Sequence, residues 1–373
     1  MRGAAAGMAQ NIIFLITDLD LGGSPLVVRS LVRGLRAGGR WNPTVISIKS
    51  AGIVAKWIRV EGTEVFSLHA RSVKDTGAVR RYCRIINHLE PQIIFSTLVH
   101  ANLLATVCKR VLPSCRYVQS IHTLQDNPRW HWYAQGLISR AADAVVAPSQ
   151  AVLDKIAAHG HFSRGAVIAN GVDVEVLSHT EPVPADELPW DAGSKIVGYV
   201  GRFDPVKNLD RLILEFSQAL IADYAAWQNV HLALVGYGKI EPQLKSLAKQ
   251  YGIRSHVHFC GPTAQPATWM KRFDVTVMPS TVEGFGLTVV ESMACGVPVA
   301  AFDAPAINEI ITDGETGVLA NPHEPGALMA AIFKLLHNPE AYRDIQNRGR
   351  QLAAEQYTID RMVARYDDLL VKL

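Results

Sequence analysis

The chain has 373 residues, of which 49% are hydrophobic and 19% charged, and its net charge is +3. That length and balance suit two globular domains with ample cores and exclude an intrinsically disordered chain. A charge this small, with no basic run interleaved with aromatics, gives no footing for nucleic acid.

The five cysteines, Cys83, Cys108, Cys115, Cys260 and Cys295, include no Cys-x-x-Cys pair. A disulfide framework or zinc site is not expected, and a reducing, cytoplasmic compartment is the default. No stretch approaches the ~18 apolar residues of a membrane span. Residues 1–10, small and basic at their start, read as a loose leader rather than a signal peptide, with Met8 as an alternative start.

Asn11–Ile16 is an apolar run that predicts a first strand, followed by a turn rich in Asp and Gly. A helix follows, with Ser24 expected as N-cap and Pro25 at its first position. Val27, Val28, Leu31, Val32 and Leu35 repeat on its helical period, and Gly38-Gly39 stop it. Further strands are expected at 44–48, 64–68, 93–96, 117–121, 144–147 and 167–169, separated mostly by helical patterns. Apolar strands alternating with helices imply a parallel sheet covered on both faces.

Residues 11–178 thus form a first domain. Glu181–Pro189, with three prolines and three acids, marks a linker placed at 179–195. A second alternating series fills 196–352, with strands expected at 196–200, 231–235, 257–259, 275–278, 297–301 and 318–319. A helical segment closes the chain over 353–373.

The densest chemistry lies in Pro279-Ser280-Thr281-Val282-Glu283-Gly284-Phe285-Gly286-Leu287-Thr288-Val289-Val290-Glu291. Two carboxylates flank a glycine turn that opens a helix. Backbone N–H groups at such a turn can face an anion without side chains in the way. Glu283 and Glu291 can accept hydrogen bonds from hydroxyls on either side of it. A ligand with hydroxyls at both ends and phosphate between them is a sugar nucleotide. Upstream, Gly201-Arg202-Phe203-Asp204-Pro205-Val206-Lys207 leaves a strand and enters a helix, so Arg202 and Lys207 emerge together. Alone they would read as surface cations. Beside the acidic pair they suit the charge that develops on a leaving diphosphate. Gly22-Gly23 lets the first βα loop approach a ligand.

The acidic-pair segment resembles that of glycosyltransferase family 4, retaining enzymes of GT-B architecture with two doubly wound Rossmann-like domains facing across a cleft. The resemblance runs from Asn11 to about Leu370 and is strongest after Arg140. It implies that Arg202 and Lys207 clamp the diphosphate, that Glu283 approaches the donor sugar and that Glu291 approaches the ribose. Gly284, Phe285, Gly286 and Leu287 would offer N–H groups to sugar and phosphate. Gly201, Gly236, Gly238 and Pro262 fall in loops that hold the nucleotide in the family. His122, after the strand at 117–121, matches a histidine near the donor sugar. His100 matches a polar position on the acceptor side. The family often places a small residue and a glutamate after Gly-Gly, whereas this chain has Ser24-Pro25, so acceptor-side detail transfers less readily. The last helix would return to the first domain.

The implied activity is transfer of a hexose or amino-hexose from a nucleoside diphosphate sugar to a hydroxyl of a glycan or lipid-linked acceptor. No metal or other cofactor is expected, since Arg202 and Lys207 would supply the positive charge. A sugar-nucleotide 2-epimerase on the same fold, or a non-catalytic nucleotide-sugar-binding partner protein, are the alternatives. Ile53, Val54, Trp57 and Ile58 share a helical face near Lys74, Arg80, Arg81 and Arg84. They suggest a loose peripheral contact with the anionic inner face of a membrane, set against an ordinary amphipathic helix.

Overall fold

The computed structural model describes residues 9–72, 74–126 and 128–373, so all but the end of the expected leader lies outside the described residues. The chain forms two compact units. One comprises residues 1–171 together with Ile359–Leu373, the other Val172–Thr358.

The first unit is built on a seven-stranded parallel sheet. Its strands are β1 (Gln10–Ile16), β2 (Trp41–Ser47), β3 (Glu64–Ser67), β4 (Ile93–Thr97), β5 (Arg116–Ser120), β6 (Ala144–Ala147) and β7 (Gly165–Val167), in spatial order β3-β2-β1-β4-β5-β6-β7. All their pairings are parallel. Helices cover both faces, which is why β4 and β6 are buried at every position; β6 reads as an unbroken apolar run, and β4 does so until Ser96-Thr97 at its carboxyl end.

The first helix spans Gly23–Ala37 and buries Val27, Val28, Leu31, Val32 and Leu35, the face set by their spacing. Its N-cap is Gly22, not Ser24, and no side chain caps it. Pro25 therefore sits in the first turn, where its missing N–H costs no intrahelical bond.

The helix Ile53–Val60 overturns part of the lipid-facing reading. Val54 and Ile58 are 0% and 1% exposed, and the Arg29 guanidinium covers Trp57 at 5.2 Å. Only Ile53 of that set remains exposed. Four apolar residues on one face were enough to predict an amphipathic helix, but the face is spent on the core.

The second unit holds a six-stranded parallel sheet. Its strands are β8 (Lys195–Val200), β9 (Val230–Val235), β10 (Val257–Gly261), β11 (Val275–Met278), β12 (Val299–Phe302) and β13 (Val318–Ala320), in spatial order β10-β9-β8-β11-β12-β13. Val197, Tyr199, Leu212, Phe216, Val277 and Phe302 belong to its main core. The expected linker at 179–195 is part of this unit. Val183 is buried, its N–H donates to Thr268 O at 3.0 Å and its carbonyl accepts from Arg272 Nε at 2.6 Å. Proline and acid content predicted an irregular path correctly, but the path is anchored.

The closing segment is two helices rather than one. Pro339–Gln356 belongs to the second unit and Ile359–Val371 to the first, with the break at Tyr357-Thr358. Thr358 and Val172 form a parallel bridge. Among the described residues no helix is long and apolar enough to cross a membrane.

The last helix is seated closely on the first unit. Asp367 accepts from Trp41 Nε1 at 2.6 Å, and Tyr366 meets Phe95 edge-on at 5.6 Å. A Cβ added at Gly34 would lie 2.4 Å from Val363 Cγ2. Valine is stiff at χ1, so the helix would have to move. Gly34→Ala should therefore cost about 1–3 kcal/mol, read as an earlier thermal transition, and Val363→Ala on that background should recover part of it. An unchanged melting curve for Gly34→Ala would contradict this seating.

Candidate functional site

In the second unit the sheet order reverses between β8 and β11. Chain connections leave these two strands in opposite directions, which opens a crevice at their carboxyl ends. The two segments singled out by sequence leave these strands.

After β8 the chain makes a 3-10 turn at Pro205–Lys207. Asp204 caps it, with its carboxylate accepting from Val206 N at 3.4 Å. Asn208, at φ 59°, then turns the chain into the helix Leu209–Ala222. Lys207 is thereby aimed across to the loop after β11. Its Nζ lies 2.6 Å from Glu283 Oε1, and the two side chains are 19% and 12% exposed. Arg202 stands apart from this pair. Its side chain is exposed and makes no ion pair among the described residues, while its carbonyl accepts from the Tyr199 hydroxyl at 3.0 Å. Lys207 is thus paired with Glu283, and Arg202 lies on the same loop with its side chain exposed.

The loop under Arg202 is fixed by backbone packing. Gly201 N donates to Val235 O at 3.0 Å and Phe203 N to Tyr237 O at 2.9 Å. A Cβ at Gly236 would lie 1.9 Å from Gly201 O, and one at Gly238 would lie 2.1 Å from Phe203 O. Only glycine fits at either position. Gly236 N in turn donates to Gly261 O at 2.8 Å, just before the exposed Pro262. These glycines hold three strand-end loops together.

After β11, Gly286 at φ 109° is the N-cap of the helix Leu287–Cys295, and no side chain caps that helix. Its first N–H groups are left to an anion. Gly284 is buried, Leu287 is half-buried, and the Phe285 ring is buried edge-on against Tyr357 at 5.8 Å. Phe285 therefore contributes backbone only, and its side chain is an anchor. Glu291 lies one turn further on and is half-buried. Its carboxylate makes no hydrogen bond or ion pair among the described residues, and burial pushes it up to about 7. The two glutamates thus differ sharply in setting. Glu283 is paired with a cation, and Glu291 is desolvated and alone.

The first unit carries its own set, where the sheet order reverses between β1 and β4. Gly22 and Gly23 open the uncapped helix after β1. Asp18 pairs with Lys49 at 3.4 Å. Gly52 presses on the same loop, since a Cβ there would lie 2.3 Å from Leu19 O.

His100 is in the first turn of the helix Val99–Val107, two residues after Leu98, which is held at φ 74°. That value is costly for leucine and is a strain found more often near functional sites. The His100 ring meets Trp130 at 5.8 Å and His131 at 5.2 Å.

His122 follows β5. Its Nε2 lies 2.8 Å from Ser120 Oγ, while Nδ1 is buried without a partner. Burial holds the imidazole down at about 4, so it is neutral at pH 7. Tyr366 hydrogen-bonds the same Ser120 side chain. Thr17 Oγ1, Ser67 Oγ and Asn170 Oδ1 are also buried without partners. With His122 they all lie at the carboxyl end of this sheet, the edge where a ligand would complete them. Sequence reasoning did not single out Lys49, Trp130 and His131, which meet Asp18 and His100 from distant parts of the chain, nor Ser120, two residues before His122.

Comparison with known proteins bears on the family and the fold. Residues 21–176 match the family model described as Glycosyltransferase Family 4, and residues 185–352 match Glycosyl transferases group 1. The chain is 37% identical over 174 residues to a D-inositol 3-phosphate glycosyltransferase of Thermomonospora curvata, covering 45% of this chain and 38% of the relative. It is 30% identical over 250 residues to D-inositol 3-phosphate glycosyltransferase 1 of Catenulispora acidiphila, covering 62% and 59%. The matches thus span roughly half the length of these relatives. Among solved structures, Anabaena HepE in complex with UDP and glucose is similar at a TM-score of 0.85 and 21% identity, over 98% of this chain and 100% of that one. Sucrose-phosphate synthase from Thermosynechococcus elongatus gives 0.81 at 20% identity, over 97% and 98%. Two parallel α/β units, two family models that between them span most of the sequence and these structural likenesses lead to one conclusion: the chain belongs to glycosyltransferase family 4 and has the GT-B fold.

Proposed function

We propose that the protein transfers a hexose or amino-hexose, with retention, from a nucleoside diphosphate sugar to a hydroxyl of a glycan or lipid-linked acceptor. The observation that carries this reading is the Lys207–Glu283 pair beside an uncapped, glycine-opened helix at the β8/β11 crevice. A diphosphate on that helix end meets backbone N–H groups, with Arg202 and Lys207 as counter-charges. Lys207 has three donors and spends one on Glu283, so the others are left for phosphate. Glu283 keeps its second oxygen for a donor-sugar hydroxyl, and Glu291 accepts from the ribose. As the sugar–phosphate bond lengthens, charge grows on the phosphate, where the cations are already in place. They do this without a divalent metal. A same-face displacement suits a site with no evident nucleophile. HepE was solved with UDP and glucose, which makes UDP the first nucleotide to test.

Thermal shift with UDP, GDP, ADP and dTDP, without added metal, tests the donor half. A nucleotide at ~100 times its Kd should add about 2.7 kcal/mol of stability. A flat panel for folded protein would sink the reading. Once the donor is known, Glu283→Ala and Lys207→Ala should each lower transfer at least ~100-fold. Near-normal turnover in either would remove the pair from the reaction.

The Glu291 carboxyl titrates at about 7 in the folded chain, against an ordinary 4.5. Between those values the folded state holds a proton that the unfolded state has lost. Stability therefore falls as pH rises through this window and levels off above it. Glu291→Gln should match the wild type near pH 4.5 and exceed it by ~3 kcal/mol at pH 8, seen in melts of ligand-free protein. A difference that does not grow with pH would refute the desolvated setting of Glu291.

A further inference from the structure

The five cysteines are free thiols, and three of them meet in the first unit. Cys108 and Cys115 belong to a core cluster with Tyr82, Ile94 and Tyr117, and Cys83 packs against it. Three of the chain's five thiols turn to a backbone carbonyl. Cys115 Sγ lies 3.5 Å from Arg116 O, Cys260 Sγ 3.8 Å from His258 O and Cys295 Sγ 3.7 Å from Leu177 O. Cys83 and Cys108 face each other instead, with their sulfurs 3.5 Å apart. They are 25 residues apart in sequence, a spacing that belongs to no cysteine motif.

The two sulfurs differ in setting. Cys83 lies in the helix Thr76–Leu89, whose inner face buries Ala78, Tyr82 and Ile86. It stands on the flank of that face and is half-buried. Cys108 is 2% exposed. It ends the helix Val99–Val107 and opens the 3-10 turn Cys108–Val111, where hydrogen bonding is weaker than in mid-helix and the backbone gives more readily. An S–S bond of about 2.05 Å needs the sulfurs to close by roughly 1.5 Å. Burial, with the Cys83 contact behind it, pushes the Cys108 thiol up to about 12. Cys108 therefore keeps its proton, and Cys83 is the sulfur that a reagent in solution can reach. Arg80, one helical turn before Cys83, and Arg84 beside it are exposed and favour an anionic reagent. Inside this apolar cluster a charged sulfinate is costly to hold, whereas a disulfide is neutral.

We propose that Cys83 and Cys108 are a reversible oxidation site, closed to a disulfide by an anionic low-molecular-weight disulfide such as oxidised glutathione. The Cys83 thiolate attacks one sulfur of the reagent. A mixed disulfide forms, and the first reagent thiolate leaves and takes up the proton that Cys83 gave to water. Cys108 then attacks the Cys83 sulfur, and the second reagent thiolate leaves with the Cys108 proton. Two protein thiols lose two electrons, and the reagent disulfide is reduced to two thiols. The new bond ties the helix Thr76–Leu89 to the end of the helix that carries His100. This chemistry does not depend on the sugar-transfer reading. For the test, folded full-length protein is reduced, freed of reductant and incubated with oxidised glutathione. It is then quenched in acid, alkylated in denaturant and mapped by mass spectrometry. A Cys83–Cys108 crosslink should form and should vanish with dithiothreitol. Cys83→Ser should abolish it and leave Cys108 a free thiol. Cys108→Ala should stop at one glutathione on Cys83, and Cys115→Ala should leave the crosslink unchanged. The wild-type map and Cys83→Ser decide the matter even where Cys108→Ala fails to fold. Free thiols at both positions after oxidation would overturn the proposal. So would a glutathione on wild-type Cys83 that never closes, or a crosslink from either residue to Cys115.

Discussion

A part-buried ion pair between Lys207 and Glu283 joins the two loops of the proposed donor site. Neither charge could stand there alone. Removing one leaves the other desolvated and uncompensated, which is the costly way to break such a pair. The pair also sets the loop geometry, because Lys207 leaves β8 and Glu283 leaves β11, the neighbouring strands where the sheet order reverses. A single contact therefore spans the crevice and holds both walls at a fixed separation. A ligand arriving there need not break it, since the ammonium and the carboxylate each retain hydrogen-bonding capacity.

Behind this pair stands backbone rather than side chains. Gly236 and Gly238 allow the loop after β9 to lie directly on the loop after β8, and Gly261 extends the stack to β10. A Cβ at either of the first two would strike a carbonyl oxygen at about van der Waals overlap, so these positions tolerate no other residue. Such a scaffold has few rotatable groups, and a rigid scaffold is what positions a charged group for use in a transition state. The glycines that sequence associates with nucleotide contact thus have a structural duty of their own.

Much of the fold was legible because parallel strands covered on both faces must be continuous apolar runs. β6 is such a run from end to end, and β1, β4, β8 and β9 carry apolar stretches of three to five residues with polar residues near their ends. The chemistry near β8 and β11 was legible because glycines and charged residues recur at short spacing within one βα loop. What escaped was partnership. Periodicity predicts that Val54, Trp57 and Ile58 share a face but not that the core takes it. Lys207 and Arg202 share one loop, as their spacing implies, but no local pattern shows that Lys207 pairs with Glu283 across 76 residues. The contact of Ser120 with His122 was hidden for a related reason, since a buried strand-end serine looks like any other. The path from 179 to 195 reads as a linker by composition, yet Val183 is hydrogen-bonded into the second unit through both its backbone groups.

The titratable groups share one logic. His122 and Glu291 are both driven toward neutrality by burial, and Glu283 lies close by the second of them in sequence but is kept paired. A neutral histidine and a half-protonated carboxyl can each donate or accept, so both can recognise hydroxyls without repelling phosphate. A paired carboxylate beside a lysine can accept from a hydroxyl while its charge stays balanced. Groups tuned in this way suit a ligand that is rich in hydroxyls and carries its charge in one place. Two fully ionised carboxylates at these positions would instead oppose a diphosphate between them. The difference in setting between Glu283 and Glu291 would therefore reconcile an acidic pair with the anionic donor proposed for it.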